Sequence, residues 1–382
     1  MIRARRPSLC YVAASEETVA AFLKQHIAAA RRDYEVMVAF NTEDLGCLDR
    51  HGIEAALRPV PIERKVSLLQ DLNALWRLYR LFRCECFDLV HSISPKAGLL
   101  AMLAAWLARV PRRVHSFTGQ VWVTRQGWRR YFLKQADRLI AALATKALVD
   151  SPSQRDFLVA EGVMSRDKTE VIGRGSICGV DGVRFHPDSQ ARREVRDSLG
   201  IPTNAPLLLF LGRLNRDKGV IDLTEAFLNL VRRVPDAWLL LVGPDEEALL
   251  PGIMNICSGV ADCVRHLGFT RQPERYMAAA DIFCLPSYRE GFGAVIIEAA
   301  ATGLPTVASR IYGITDAIID GETGLLHPPG DSTALTAALV DLLQHPERRF
   351  AMGEKARARA LADFSQADST KRLMAFYGRM LG

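Results

Sequence analysis

The sequence predicts an α/β protein made of two doubly wound, parallel-sheet domains in tandem. Three observations carry this. Short apolar runs alternate with amphipathic segments of helical period along the chain, which is the pattern of parallel βαβ layers. The length, 382 residues, suits two domains of roughly 100–200 residues, each with its own core. An irregular polar segment interrupts the alternation ahead of residue 187, and a second series starts after it.

The elements follow in order. Residues 9–13 read as the first strand, 17–31 as the helix behind it and 35–40 as the second strand. Over residues 66–83, Leu68, Leu69, Leu72, Leu75, Trp76 and Tyr79 recur at helical spacing. A strand at 88–92 passes through a Pro-Lys turn into a helix at 97–108. Strands at 113–117 and 147–150 enclose the helical stretch 128–144. The second series has a charged helix at 192–199, a strand at 207–211, a helix at 222–232 and a strand at 238–242. Strands at 264–267, 282–286 and 306–308 complete it. These runs give domains 1–187 and 188–365. The last helix, within 366–382, has no strand after it and is expected to pack back on the first domain. Two such domains predict ligand binding at a cleft between the carboxyl ends of their sheets.

Composition removes several classes. The chain is 49% hydrophobic and 24% charged, ordinary for a globular protein. No apolar run reaches the ~18 residues of a membrane span. Arg3, Arg5 and Arg6 open the chain, but Ser15, Glu16 and Glu17 break the apolar run that a leader peptide needs. The eight cysteines form no CxxC pair and no zinc-like spacing with histidine, so reduced, mostly buried thiols in a cytoplasmic protein are expected. The net charge of +6 is uneven. Residues 1–150 hold 23 Lys/Arg against 14 Asp/Glu, and the remainder holds 26 against 29. The basic front half is therefore the half expected to meet an anionic partner.

The chemistry concentrates in the second half. After the strand at 207–211 comes Gly212-Arg213-Leu214-Asn215-Arg216-Asp217-Lys218-Gly219. Gly212 permits a sharp turn, and Arg213 with Lys218 sets two cations on one loop, where they can hold a diphosphate and neutralise charge as it departs. Downstream, Pro286-Ser287-Tyr288-Arg289-Glu290-Gly291-Phe292-Gly293 runs into a helix. Gly291 and Gly293 free the backbone for close approach, and the helix start offers unpaired amides. Glu290 and Glu298 have seven residues between them, a Glu-x7-Glu element, and Glu298 stands among Val295, Ile296, Ile297, Ala299 and Ala300. A carboxylate in so apolar a helix needs a partner, and paired hydroxyls would serve.

These motifs, with Gly243-Pro244, Leu267-Gly268-Phe269 and Gly303-Leu304-Pro305, resemble the retaining family-4 glycosyltransferases of the GT-B fold. The resemblance implies two Rossmann-like domains, an N-terminal one for the acceptor and a C-terminal one for a nucleotide-sugar. It implies sugar transfer with retained configuration, without a metal or other cofactor. Arg213 and Lys218 would bind the donor diphosphate, Glu298 the ribose hydroxyls and Glu290 the donor sugar. Backbone near Phe269 would meet the base, and Gly212, Gly291, Phe292 and Gly293 would line the pocket. His115, at the end of a strand facing the cleft, would be the active-site histidine. Ala14-Ser15-Glu16-Glu17 stands where many relatives have a Gly-Gly turn.

The block 117–122, the stretch 150–156 and the loop 175–181 resemble the bacterial branch that extends polyprenyl-diphosphate-linked glycans for capsule, O-antigen or protein N-glycosylation. Cys178 stands where that branch often has Asn. The likeness implies a UDP-linked N-acetylhexosamine or 6-deoxy relative as donor, and a chain peripheral to the inner face of the cytoplasmic membrane. Residues 112–138 hold seven basic side chains against Asp137, interleaved with Trp122, Trp128, Tyr131, Phe132 and Leu133. Two readings stand: an anionic-bilayer surface, or a helix packed by Trp128, Phe132 and Leu139 with a solvated basic face. Lys96, Arg125, Trp128, Arg129 and Arg130 are the candidate acceptor or membrane contacts. No nucleic-acid motif is present. A GT-B sugar-nucleotide epimerase, a glycosidase and a non-catalytic sugar-nucleotide-binding subunit are the alternatives.

Overall fold

In a computed structural model, residues 5–63 and 67–382 are described. Arg3 and Val66, the latter opening the predicted second helix, lie outside them. The chain forms two compact units, Met1–Gly179 with Gln366–Gly382, and Val180–Ser365. The second starts ahead of residue 187 because Val180 donates to Phe364 O (2.8 Å) and Phe185 is buried in that unit's core.

In the first unit, β1 (Ser8–Ser15) leads through a helical turn and a wide five-residue turn, Val19–Leu23, into α1 (Lys24–Ala30) and β2 (Glu35–Asn41). Then come β3 (Ala56–Pro59), α2 (Leu68–Glu85), β4 (Leu89–Ile93), α3 (Pro95–Leu107), β5 (Arg112–Phe117), α4 (Gly127–Leu143), β6 (Lys146–Val149), α5 (Pro152–Ala160) and β7 (Thr169–Val171). The sheet is parallel with order β3-β2-β1-β4-β5-β6-β7. Its strands read as nearly continuous apolar runs because both faces are covered. α2, α3 and α4 lie side by side over one face, around Val90, Phe117 and Val149.

The helix Gln366–Leu381 packs with α1 on the other face. Buried polar contacts fix it there. Tyr377 Oη lies 2.5 Å from His91 Nδ1 and 3.0 Å from Tyr11 Oη, and Thr370 Oγ1 lies 3.0 Å from His26 Nδ1. Burial lowers His91 to a pKa of about 3 and His26 to about 4. Both imidazoles are therefore neutral at neutral pH, and these contacts join uncharged groups.

The second unit adds α6 (Ser189–Leu199), β8 (Leu207–Leu211), α7 (Val220–Val231), β9 (Trp238–Val242), β10 (Val264–Leu267), β11 (Ile282–Leu285), α8 (Ala294–Ala301), β12 (Thr306–Ser309) and β13 (Gly324–His327). Its sheet is also parallel, with order β10-β9-β8-β11-β12-β13. Arg196, almost fully buried, knits this unit together. It donates to Ala279, Pro202, Thr203 and Ala205 carbonyls and pairs with Asp281 at 2.8 Å.

All eight cysteines are free; Cys84 and Cys86 are exposed and Cys10 and Cys284 buried. Among the described residues no helix is long and apolar enough to cross a membrane. Of the apolar residues that mark α2 in the sequence, only Leu75 packs against the core. Ala74, Leu78 and Phe82 enter the core, while Leu68, Leu69, Leu72 and Trp76 are exposed, Trp76 to 54%. Phe82→Ala is expected to cost about 3–5 kcal/mol by cavity formation, and Trp76→Ala under about 1 kcal/mol. Urea unfolding of both variants checks this, and equal losses would contradict the orientation of α2.

Candidate functional site

The second sheet reverses direction between β8 and β11. From β8 the chain steps outward to β9 and β10, and from β11 outward to β12 and β13, yet β8 and β11 are neighbours. The helices that follow them, α7 and α8, lie on opposite faces. Ligands of open α/β sheets bind outside the strand carboxyl ends at such a reversal. The two loops there are 212–219 and 286–293.

These loops interlock. Gly219 has φ +67°, and a Cβ on it would stand 2.0 Å from Pro286 O. Only glycine admits that approach. Tyr288 N–H donates to Asp217 O at 2.9 Å, and Arg289 Nε to the Asp217 carboxylate at 2.8 Å. Lys218 Nζ donates to Glu290 Oε1 at 2.5 Å, and Ser287 Oγ donates to the same oxygen at 2.9 Å. A third loop joins through Gly243, whose Cβ would stand 2.0 Å from Gly212 O. There Leu214 N–H donates to Pro244 O, and Glu246 accepts from Arg213 Nη1 (2.8 Å) and Asn215 Nδ2 (3.3 Å).

Both sequence-predicted cations are therefore present at the strand ends, and each is balanced by a carboxylate: Arg213 by Glu246 and Lys218 by Glu290. Asp217, Arg289, Asn215 and Glu246 were not singled out from the sequence. The signal was available for two of them, because Asp217-Lys218 faces Arg289-Glu290 with charge order reversed.

Gly291, buried Phe292 and Gly293 carry the second loop into α8. Glu298, half-buried on α8, has no hydrogen-bond or ion-pair partner among the described residues. Burial raises its pKa from 4.5 to about 7, with Arg184 opposing that shift and Glu274 adding to it. It is a carboxylate short of donors. Phe269, past β10, is 69% exposed.

In the first unit, His115 lies within β5, which runs on to Phe117, and not at a strand end. It is 1% exposed. Its Nδ1 is 2.8 Å from Ser92 Oγ, Phe117 meets its ring at 4.5 Å, and Gly98 of α3 closes over it. Burial holds its pKa down at about 3. The expected cleft-facing histidine is thus a neutral core side chain, because the pleat turns it under α3.

Lys96 pairs with Asp71 at 2.6 Å. Arg130 lies over the Trp122 ring and within 3.4 Å of Glu161. Arg125 follows the short turn Val121–Thr124. Trp122 is buried, donates to Asp137 at 2.8 Å and stacks on Phe157. The helix is not packed by Trp128 and Phe132, which are 68% and 63% exposed. Arg129 lies over Trp128, 5.4 Å from its ring centre. α4 instead buries Asp137, Ile140 and Ala141. In the stretch 14–17, Glu16 accepts from His51 Nε2 at 2.7 Å.

Residues 191–359 match the family "Glycosyl transferases group 1", and residues 19–175 match "Glycosyl transferase 4-like domain". The structure of Anabaena Alr3699/HepE in complex with UDP and glucose superposes with TM-score 0.82 at 20% identity, over 98% of this chain and 100% of that one. Two parallel doubly wound units of this kind are the GT-B fold, and the two family matches make the chain a glycosyltransferase.

The chain is 31% identical over 322 residues to the D-inositol 3-phosphate glycosyltransferase of Corynebacterium kroppenstedtii, covering 77% of this chain and 68% of that protein. It is 27% identical over 335 residues to the capsular polysaccharide biosynthesis glycosyltransferase CapM of Staphylococcus aureus, with 84% of each covered. It is 28% identical over 282 residues to the UDP-Gal:alpha-D-GlcNAc-diphosphoundecaprenol alpha-1,3-galactosyltransferase of Escherichia coli, with 72% of each covered. The chain belongs to the group 1 glycosyl transferase family.

Glu298 supplies a pH test. Its folded pKa lies above the ordinary glutamate value, so burial costs nothing while the carboxyl is protonated in both states. The cost starts above about pH 4.5 and is complete above about pH 7. Glu298→Gln is expected to raise the stability of the ligand-free protein at pH 8 by up to about 3 kcal/mol, and by nothing near pH 4. Urea unfolding across that range measures it, and a pH-independent difference would contradict the assignment.

Proposed function

We propose that the chain is a retaining glycosyltransferase that moves an N-acetylhexosamine or a 6-deoxy relative from a UDP-sugar to a polyprenyl-diphosphate-linked acceptor in surface glycan assembly. The observation that carries the donor half is the meeting of loops 212–219 and 286–293 at the sheet reversal, with Arg213, Lys218 and Glu290 on them.

In this reading Arg213 and Lys218 exchange their carboxylates for the donor diphosphate. The bond from the anomeric carbon to the diphosphate oxygen breaks as the acceptor hydroxyl oxygen bonds to that carbon from the same face, its proton passing to the departing diphosphate oxygen, and the two cations take up the charge left on the diphosphate. Backbone amides at Gly291, Phe292 and Gly293 share that charge. Glu290, held by Ser287, accepts from the sugar hydroxyls. Glu298, short of donors, accepts from the ribose hydroxyls, and backbone near Phe269 meets the base. Gly212 keeps the first loop close to the strand end. No metal is required in this scheme. His115 has no contact role in it.

The acceptor half is supported by the CapM and E. coli relatives, the latter named for a diphosphoundecaprenol acceptor. It is supported also by the exposed Trp128, Tyr131 and Phe132 beside Arg129, and by the exposed start of α2. α2 and α4 flank α3 on one layer. Their amino ends lie at the carboxyl edge of the sheet, as right-handed crossovers require. Aromatic and aliphatic side chains with neighbouring arginines suit an anionic bilayer at the inner membrane face.

Arg213→Ala, Lys218→Ala and Glu290→Ala are each expected to lower UDP release from a UDP-sugar, with polyprenyl-diphosphate-linked acceptor present, by about 10²–10³-fold. Wild-type turnover in the Glu290 variant would remove its assigned role. Sedimentation with liposomes tests the membrane surface. Binding should rise with anionic lipid and fall in Trp128→Ala/Phe132→Ala, whereas binding indifferent to lipid charge would reduce the face to an ordinary helix surface.

A further inference from the structure

Two ion pairs cross between the donor loops, and they are not equivalent. Asp217-Lys218 lies on one loop and Arg289-Glu290 on the other, joined Asp217 to Arg289 and Lys218 to Glu290. The first pair is the more firmly built. The two pairs are similarly sheltered, at 14% and 19% exposed against 12% and 20%, but only at the first does the backbone add Tyr288 N–H to Asp217 O alongside the ion pair. The planar guanidinium is held by its Nε at 2.8 Å, and a guanidinium loses little freedom per hydrogen bond. The second pair ends in an ammonium on a four-carbon stem, which reorients readily and keeps donors to spare. Its partner Glu290 has a second donor of its own in Ser287.

We infer that Asp217 and Arg289 are positioning residues, a fixed strut that keeps the two loops in register while Lys218 and Glu290 let go of each other to take the donor. This rests on the nucleotide-sugar reading of the site. Lys218 follows Asp217 directly and Glu290 follows Arg289 directly, so a shift of either strut residue moves a donor-contacting group by a comparable amount. Neither strut residue touches the donor. Their effect is to fix the distance across which the diphosphate and the sugar are gripped, and a displacement of about 1 Å at such a site costs on the order of 10²-fold. Removing one charge of the pair leaves the other poorly solvated and free to compete for Lys218 or Glu290.

The experiment compares the full-length wild type with Asp217→Asn, Arg289→Gln, the double variant, and Arg348→Gln as a control on a remote, exposed ion pair. UDP binding is followed by calorimetry, and kcat and KM for the UDP-sugar that wild type consumes are measured well below each variant's Tm. Each single variant is expected to raise the Kd for UDP and the KM about tenfold or more, and the double variant to lose no more than the worse single one. The control matches wild type.

Wild-type Kd and KM in both single variants would overturn the strut. So would a loss confined to kcat in proportion to the unfolded fraction, which would make the pair a structural staple. Should a single variant not fold, Arg289→Lys, which keeps the charge and loses the planar fork, is expected to fold with a raised Kd; an unchanged Kd there counts against the strut. If wild type binds UDP and no variant differs, the strut alone fails. If wild type binds no UDP, the donor reading fails and the inference goes with it.

Discussion

The close approach of loops 212–219 and 286–293 is the constraint on which the rest of the site depends. It requires a residue without Cβ at 219, because the Pro286 carbonyl occupies that space. It requires also that four charges on adjacent residues be matched across the gap, since unpaired they would be costly at this depth. Once those conditions hold, the reversal of strand order between β8 and β11 places two cations, each paired with a carboxylate, over the strand ends. Glu298 follows a turn and a half into α8, apolar on either side and without a protein donor. A ligand with a diphosphate and neighbouring hydroxyls complements such a set.

Much of this architecture was legible in the residues. Strands buried on both faces announce themselves as short apolar runs, so β1, β2, β8, β9 and β11 were recovered within a residue or two. β3, β7 and β13 were not: Ala56-Leu57-Arg58-Pro59, Thr169-Glu170-Val171 and Gly324-Leu325-Leu326-His327 hold no apolar run long enough to stand out from a loop. The period of α2 predicted a helix correctly but did not identify its buried face. Alanine at 74 and the Leu78/Phe82 pair pack inward, and the larger stripe is left in solvent.

The cationic loop and the Glu-x7-Glu element were visible because their chemistry is written in residue types. Their pairing was less visible, since it joins residues about 70 positions apart. His115 shows the opposite limit. Residue type made it a candidate, and only the pleat of β5 with the cover of Gly98 reveals that its ring is sealed in the core.

The basic excess of the front half also divides once contacts are known. Arg112 caps Met380 O, Arg113 holds Leu143 O and Val110 O, and Arg138 holds Gly162 O. Lys168 satisfies Ala141 O and Ala142 O near the end of α4, where a cation also complements the helix dipole. These charges serve the fold. Arg129 on Trp128 and Arg80 on Trp76 belong instead to exposed faces that carry large apolar side chains. The net charge therefore overstates what is available to an anionic partner, and the distribution over α2 and α4 is the sharper guide.

The most direct measurement is a crystal structure of the full chain with an intact UDP-sugar. The diphosphate is expected within hydrogen-bond distance of Arg213 and Lys218, Lys218 parted from Glu290, and the ribose hydroxyls on Glu298, with Asp217 still on Arg289. A nucleotide bound away from the β8–β11 reversal, or one bound there with Lys218 still on Glu290 and Glu298 unengaged, would contradict that arrangement.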